Sequence, residues 1–401
     1  MTTRSMSAWK LLWLFIPLTV LAASSDVGTE ATTGFDTLSN GAVDQITHNA
    51  DRDEFEGAET PATGLGPLYN ATSCVDCHQD PVTGGSSQVS EMRAGHMHDG
   101  TFVNPLGGSS LIHDRSTSRE IQQRIPATED VRTLRMSTSV LGLGYVEAVD
   151  DQTLLNLAQV EAAQTRGFVH GEAQMVPILE APGVSRVGRF GWKDQHGSLL
   201  SFSADADLNE KGITNRLLPT EDLYFGQSVD AFNQDTTEPN DTEGDIDKYA
   251  SYMRATKAPP RGLLTADVQA GDAIFHRLGC DVCHTTTLQT VAAGTSLNGG
   301  TFIVPPALGG RTFHPYSDFL LHDVGTGDGI VQNGGPETRN KLRTTPLWGL
   351  RTRGRLLHDG SASDLTTAIR RHDNEARLAR ERFRFLSRAD SASLMAFLNS
   401  L

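Results

Sequence analysis

Cys280-Asp281-Val282-Cys283-His284 decides the reading of this chain, and Cys74-Val75-Asp76-Cys77-His78 repeats its pattern in the first quarter of the sequence. Two thiols three positions apart reach the two vinyl carbons of one porphyrin, while the adjacent imidazole meets the iron from the same side. The expectation is two covalently bound haem c groups, attached at Cys74, Cys77, Cys280 and Cys283, with His78 and His284 as proximal iron ligands. Paired zinc or disulfide chemistry is the competing use of such thiols. These are the only four cysteines, so haem attachment consumes them and leaves none for a structural disulfide.

Working outward, Met1 to Ser25 holds Arg4 and Lys10, an apolar run from Leu11 to Leu21, and then Ala22-Ala23-Ser24-Ser25. That is the pattern of a cleavable signal peptide, assigned to residues 1–23; about eleven apolar residues fall short of the ~20 a membrane span needs. A periplasmic protein with no membrane attachment after cleavage is expected. The formal charge of −15 argues against nucleic acid and anionic lipid and favours a basic partner protein.

Residues 24–60 are rich in Thr, Asp, Glu, Ser and Gly and read as a flexible arm. An N-terminal haem domain with an insertion is expected over 61–260: Arg132 to Ala163 is partly helical, with Leu154, Leu157 and Ala158 at helical spacing, and Gln174 to Ile213 reads as hairpins. Asn233 to Asp245 is an acidic, turn-rich excursion, and a helix from Asp247 to Thr256 ends at Ala258-Pro259-Pro260-Arg261-Gly262, the best boundary in the chain. A cytochrome c-like haem domain is expected over 261–401. It opens with Thr265 capping a helix that carries Val268, Gly271, Phe275 and Leu278, and closes with an apolar face of Leu394, Phe397, Leu398 and Leu401; Gly271 lets the two helices approach. The fold class is therefore mainly α: two cytochrome c-like haem domains with irregular loops and small β-hairpin insertions.

The sixth ligand decides what each haem does. Beyond Cys280 the only methionine is Met395, which reads as core. Leu365, Ala368, Ile369 and His372 fall at i, i+3, i+4 and i+7 of a helix capped by Ser363 or Asp364, so His372 is the nominated distal ligand of the C-terminal haem. His314, His322 and His358 read as supporting groups, His314 equally as a surface turn residue. For the N-terminal haem the distal candidates are His96, His98 and His113, with Met92, Met97 and Met136 as thioether alternatives or an open position. Asp205-x-Asp207-x-Asn209 resembles the start of a calcium loop, but Glu210 and Arg216 break that pattern.

Further segments carry a resemblance. Gly64-Leu-Gly-Pro, Leu141-Gly-Leu-Gly-Tyr-Val-Glu-Ala148, Gly188-Arg-Phe-Gly-Trp-Lys193, Gly212-Ile-Thr-Asn215, Tyr316-Ser-Asp-Phe-Leu-Leu-His-Asp323 and Arg343-Thr-Thr-Pro-Leu-Trp-Gly349 with His358-Asp-Gly360 resemble the di-haem oxidoreductase family. Its members are labelled peroxidases or thiol oxidoreductases and are related to the bacterial di-haem cytochrome c peroxidases and to the di-haem enzymes that mature methylamine dehydrogenase. In those relatives a residue twelve beyond the Gly of His-Asp-Gly is the second haem's axial ligand, methionine or tyrosine. Here that residue is His372. Imidazole is the stronger donor, so a His284/His372 haem sits at low potential and the peroxidases' high-potential electron-entry haem is in doubt.

The resemblance also implies Glu147 as a distal acid or base and Trp192 as an electron relay, each with core or ion-pair roles as the alternative, and an interhaem calcium ion by analogy alone. The functions it leaves are peroxide reduction at the N-terminal haem, with electrons from a small redox protein (cytochrome c or cupredoxin) relayed through the C-terminal haem; a non-enzymatic electron carrier with both haems six-coordinate; and oxidative modification of a partner protein.

Overall fold

The computed structural model describes residues 28–105, 108–235, 237 and 239–401; the expected signal peptide lies outside them. Among these residues no helix is long and apolar enough to cross a membrane. The helices are α1 (Gln45–Glu56), α2 (Leu143–Glu147), α3 (Asp151–Gln164), α4 (Leu199–Ala206), α5 (Asp245–Ala255), α6 (Ala266–Leu278), α7 (Leu365–Arg371), α8 (Arg377–Arg384) and α9 (Arg388–Leu398). Short 3-10 turns, long irregular stretches and small sheets connect them.

Helix α1 corrects the expectation of a flexible arm. Asp44 caps it through the Ile46 and Thr47 amides, and His48, Asp51 and Phe55 turn inward against α5. Phe55 meets Tyr252 at 4.9 Å between ring centroids, and His48 stacks on Tyr252 at 5.2 Å. Just before α1, strand Thr29–Glu30 pairs in parallel with Arg311–Thr312, tying the start of the described chain to its C-terminal half.

The largest sheet is built on strand Ser90–His98, which pairs with Thr101–Val103, Leu111–Ile112 and Val131–Met136. Arg132–Met136 is thus strand where partial helix was expected, while α3 buries Leu154 as its spacing predicts. Met175–Pro177 and Ser185–Val187 form the expected hairpin. The chain then departs from that expectation, entering α4 and a π turn over Asp207–Lys211.

The core does not divide at residue 261. One cluster joins Phe55, Tyr145, Leu199 and Tyr249 to Leu288, Phe302, Phe313, Phe319 and Trp348. A second holds Val268, Ile274, Phe275, Leu278, Tyr316, Leu350, Phe383, Leu394 and Phe397. Within it α6 and α9 cross at Gly271, where an added Cβ would lie 2.0 Å from the Ser393 carbonyl oxygen, so only glycine permits this approach. Thr265 caps α6 through the Val268 amide, and Asp364 caps α7 through the Thr367 amide.

Candidate functional site

Helix α6 ends at Gly279 in the left-handed conformation, and the chain turns straight into the 3-10 turn Cys280–Val282. This places Cys280, Cys283 and His284 on one wall of a cavity of about 980 Å³. That size is at the upper end of the roughly 300–1,000 Å³ of cofactor pockets. The lining includes Phe275, Leu278, Leu350, Leu356, Ile369 and Phe383, and α7 delivers His372 to it. The helix stops at Arg371; His372 leaves with φ −62° and ψ 133°.

Hydrogen bonds fix which nitrogen each imidazole presents. His284 Nδ1 lies 2.9 Å from the Tyr316 carbonyl oxygen and His372 Nδ1 lies 2.8 Å from that of Ala368. A carbonyl oxygen only accepts, so Nδ1 carries the proton and Nε2 keeps its lone pair. Burial lowers both pKa values, that of His284 to about 4, and holds the rings neutral as an iron ligand must be. Burial also pushes the Cys280 thiol up to about 12.

The donor set and walls fit a haem. Arg353 and Arg343 line the same cavity, and a haem carries two propionates. The Arg353 guanidinium donates to the Pro346 carbonyl at 2.7 Å and faces no carboxylate at ion-pair distance among the described residues. Burial and the neighbouring Arg343 push its pKa down to about 10. A cation so placed lacks an anion, which a propionate supplies.

At the first unit, Ser73 precedes the 3-10 turn Cys74–Asp76, and Asp76 folds back on the Thr72 and Ser73 amides. His78 Nδ1 lies 3.3 Å from the Gly85 carbonyl oxygen, again leaving Nε2, and its ring packs against Phe55. Cys74 and Cys77 are both pushed up to about 12 by burial; at Cys77 the carboxylates of Glu210, Asp76 and Glu91 add to it.

The histidines nominated opposite this unit are placed otherwise. His113 is buried, but its Nδ1 meets Gln123 at 3.1 Å and its Nε2 meets the Asn209 carbonyl at 3.0 Å, so neither nitrogen is free for iron. His96 Nδ1 meets Glu129 at 2.9 Å, with a third of the side chain exposed, and the His98 side chain is 75% exposed beside Asp99.

Glu147 is not a distal acid or base. Its carboxylate is enclosed and accepts from Arg254 at 2.7 and 2.9 Å, from the Leu199 amide at 2.9 Å and from Asn298 at 2.9 Å. Burial opposes its charge, yet Arg254 keeps its pKa below the ordinary value. It is the clasp between α2, α5 and the Asn298 loop.

Two buried carboxylates beside the first unit, Glu91 and Glu210, lie where sequence spacing gave no signal. Glu91 accepts from Arg93 at 2.7 and 3.1 Å and stays ionised; Asn70 donates to Glu210 at 2.8 Å. Burial and the Glu91 charge push Glu210 up to about 8, so it holds a proton at neutral pH beside Cys77.

Trp192 lines the C-terminal cavity, donates Nε1 to the Met136 carbonyl at 2.8 Å and meets His358 edge-on at 6.2 Å. The same end of the cavity is lined by Asp80, Ser86 and Thr138, close to the backbone that anchors His78. His322 stands at the wall, its Nδ1 2.9 Å from Glu375 and 3.8 Å from Cys283 Sγ, its Nε2 3.1 Å from Asp318. His314 is a surface residue, near Thr287 and Glu30. Met395 packs into the second core. Asp205 and Asp207, from the discounted calcium pattern, pair instead with His196 and Lys211.

A cavity of cofactor size beside the second of two thiol–thiol–imidazole units is the arrangement of a haem protein. Residues 109–401 match the family described as "Di-haem oxidoreductase, putative peroxidase", and the chain belongs to that family. No curated protein matches it. Similar solved structures include hydrazine synthase of Kuenenia stuttgartiensis (14% identity, 100% of this chain and 98% of that one, TM-score 0.41). A MauG-like protein associated with microbial copper homeostasis shares 14% identity over 98% and 95% (TM-score 0.40). The dihaem peroxidase BthA of Burkholderia thailandensis shares 14% over 93% and 94% (TM-score 0.41).

Proposed function

We propose that the chain is a periplasmic c-type di-haem peroxidase that reduces hydrogen peroxide at the N-terminal unit with electrons passed through the C-terminal one. The observation that carries this is the cavity lined by Cys280, Cys283, His284 and His372 together with Trp192 and with Asp80, Ser86 and Thr138, which lie in sequence near the backbone that holds His78. Cys74, Cys77, Cys280 and Cys283 hold the two haems as thioethers. His78 and His284 are the proximal ligands, and His372 closes the C-terminal site. When bound, the haems supply redox-active iron able to bind peroxide and to store and pass single electrons.

The protein's own groups do the rest. His96, His98 and His113 are held by other partners, so a haem at His78 would have none of these three imidazoles as a second ligand, which favours an enzyme over a carrier. Glu210 gives a proton to the leaving oxygen and Glu91, ionised against Arg93, accepts one. Each peroxide takes two electrons and two protons and leaves two waters. Trp192 stands between the sites as the relay. Export by the N-terminal segment matches the use of all four thiols for haem, and a small redox protein is the electron donor.

The test is steady-state peroxide consumption by the two-haem protein with a small uncharged reductant, for the wild type and Glu210→Gln. A loss of about a hundredfold in turnover at unchanged haem content is expected, the lower range for general acid–base groups. Unchanged turnover removes Glu210 from the mechanism; a wild-type ferric spectrum indifferent to peroxide and cyanide leaves only the electron carrier.

A further inference from the structure

We propose that the arginine-rich face of α7, α8 and the start of α9 docks a small acidic electron-transfer protein; this rests on the reading of the C-terminal site as the point of electron entry. Between Arg370 and Arg388 the chain carries seven arginines against three carboxylates, in a molecule of overall formal charge −15. Arg370, Arg377, Arg382 and Arg388 are exposed, and among the described residues none of the four has a carboxylate at ion-pair distance; Arg371 pairs with Asp359, Arg380 with Asp373 and Glu381, and Arg384 with Glu381. Next in sequence to Arg384 and three residues before Arg388, Phe385 is 86% exposed. An exposed aromatic among unpaired arginines has the composition of a protein interface core rather than of ordinary surface.

The patch is also the outer surface of the cofactor cavity. Leu378, Ala379, Arg380, Arg382 and Phe383 of α8 line the cavity, while Arg377 and Arg384 of the same helix are exposed and outside that lining. A partner seated there is separated from the C-terminal site by one helix. Each encounter moves one electron from the partner's reduced centre into that site, so two encounters supply one peroxide. A basic patch on an acidic body gives the molecule a strong dipole, which orients an acidic donor toward α8 and repels it elsewhere. The same acidic body opposes broad contact with an anionic membrane, which favours the protein partner.

The experiment uses the two-haem protein with reduced flavodoxin, an acidic redox protein, as the probe. A lysine-ringed class I cytochrome c and phosphatidylglycerol vesicles are tested in parallel for binding. Reduction by flavodoxin is expected to slow about tenfold as ionic strength rises from low to physiological. It should slow about tenfold again in Arg377→Glu/Arg388→Glu, whose new carboxylates sit favourably in helix first turns, and several-fold in Phe385→Ala. Peroxide consumption driven by the small uncharged reductant should be unchanged in these variants, which separates loss of docking from loss of the enzyme. Flavodoxin reduction indifferent to charge reversal, preferential binding of the cytochrome c, or binding of vesicles alone overturns the proposal.

Discussion

Single residues divide here by whether their bonds are complete. His284 and His372 each spend one nitrogen on a carbonyl oxygen and keep the other for the cavity, whereas Glu147 has none of its capacity left. Removing one charge from a buried pair strands the other, at a cost of about 3–5 kcal/mol. Glu147→Gln should therefore lower the unfolding free energy measured by urea titration by an amount in that range, while haem content and peroxide turnover per haem stay at wild-type values. Turnover lost with stability intact would return Glu147 to the chemistry. The Cys-x-x-Cys-His units and the helix that brings His372 to the cavity were legible in the sequence because their geometry is local: three-residue spacing, a helical period, a cap at Asp364. Glu147, Glu210 and Arg353 were not, because what decides their roles is partners brought from distant segments, such as Arg254 and Asn298 for Glu147.

Among the elements, α5, α6, α7 and α9 follow from apolar period and caps, and α6 crosses α9 where Gly271 allows it. Gly271→Val forces side-chain atoms into the Ser393 backbone, and overpacking of this kind costs typically 1–3 kcal/mol. Thermal unfolding should show a lowered midpoint and weaker haem retention at the C-terminal site; an unchanged midpoint would mean that the two helices need no glycine. Helix α1 was hidden because its inward positions include His48 and Asp51 as well as Phe55, so its face is defined by the Tyr252 and Tyr249 rings of α5 and not by its own hydropathy. Strand Arg132–Met136 was hidden for a similar reason: its partner Ser90–Ala94 lies about forty residues away, beyond any local pattern.

The whole molecule couples its core to protons. Glu161 is pushed up to about 9 by burial and by Asp318, while the Asp318 carboxylate, against the cost of burial, holds His322 above its ordinary value. Both groups bind a proton in the fold that the unfolded chain gives up, from about pH 4.5 for Glu161 and about 6.5 for His322. Unfolding then releases protons, so stability falls as pH rises across this window up to about 9. Urea midpoints at pH 5, 7 and 9 should decline in that order, and Glu161→Gln should flatten the decline; a midpoint that rises with pH would contradict the assignment. The net charge of the chain, read as a whole, pointed to a basic partner. Folding concentrates the arginines on α7 and α8, and that local sign is what a donor meets.

The assignment of one closed and one open haem site is tested most directly by the electron paramagnetic resonance spectrum of the ferric two-haem protein, wild type and His372→Ala. Closure by His284 and His372 at one site and an available position at the other predict one low-spin and one high-spin signal, the high-spin signal converted by cyanide and the low-spin signal lost in His372→Ala. Two low-spin signals, both untouched by cyanide and both surviving the substitution, would contradict it.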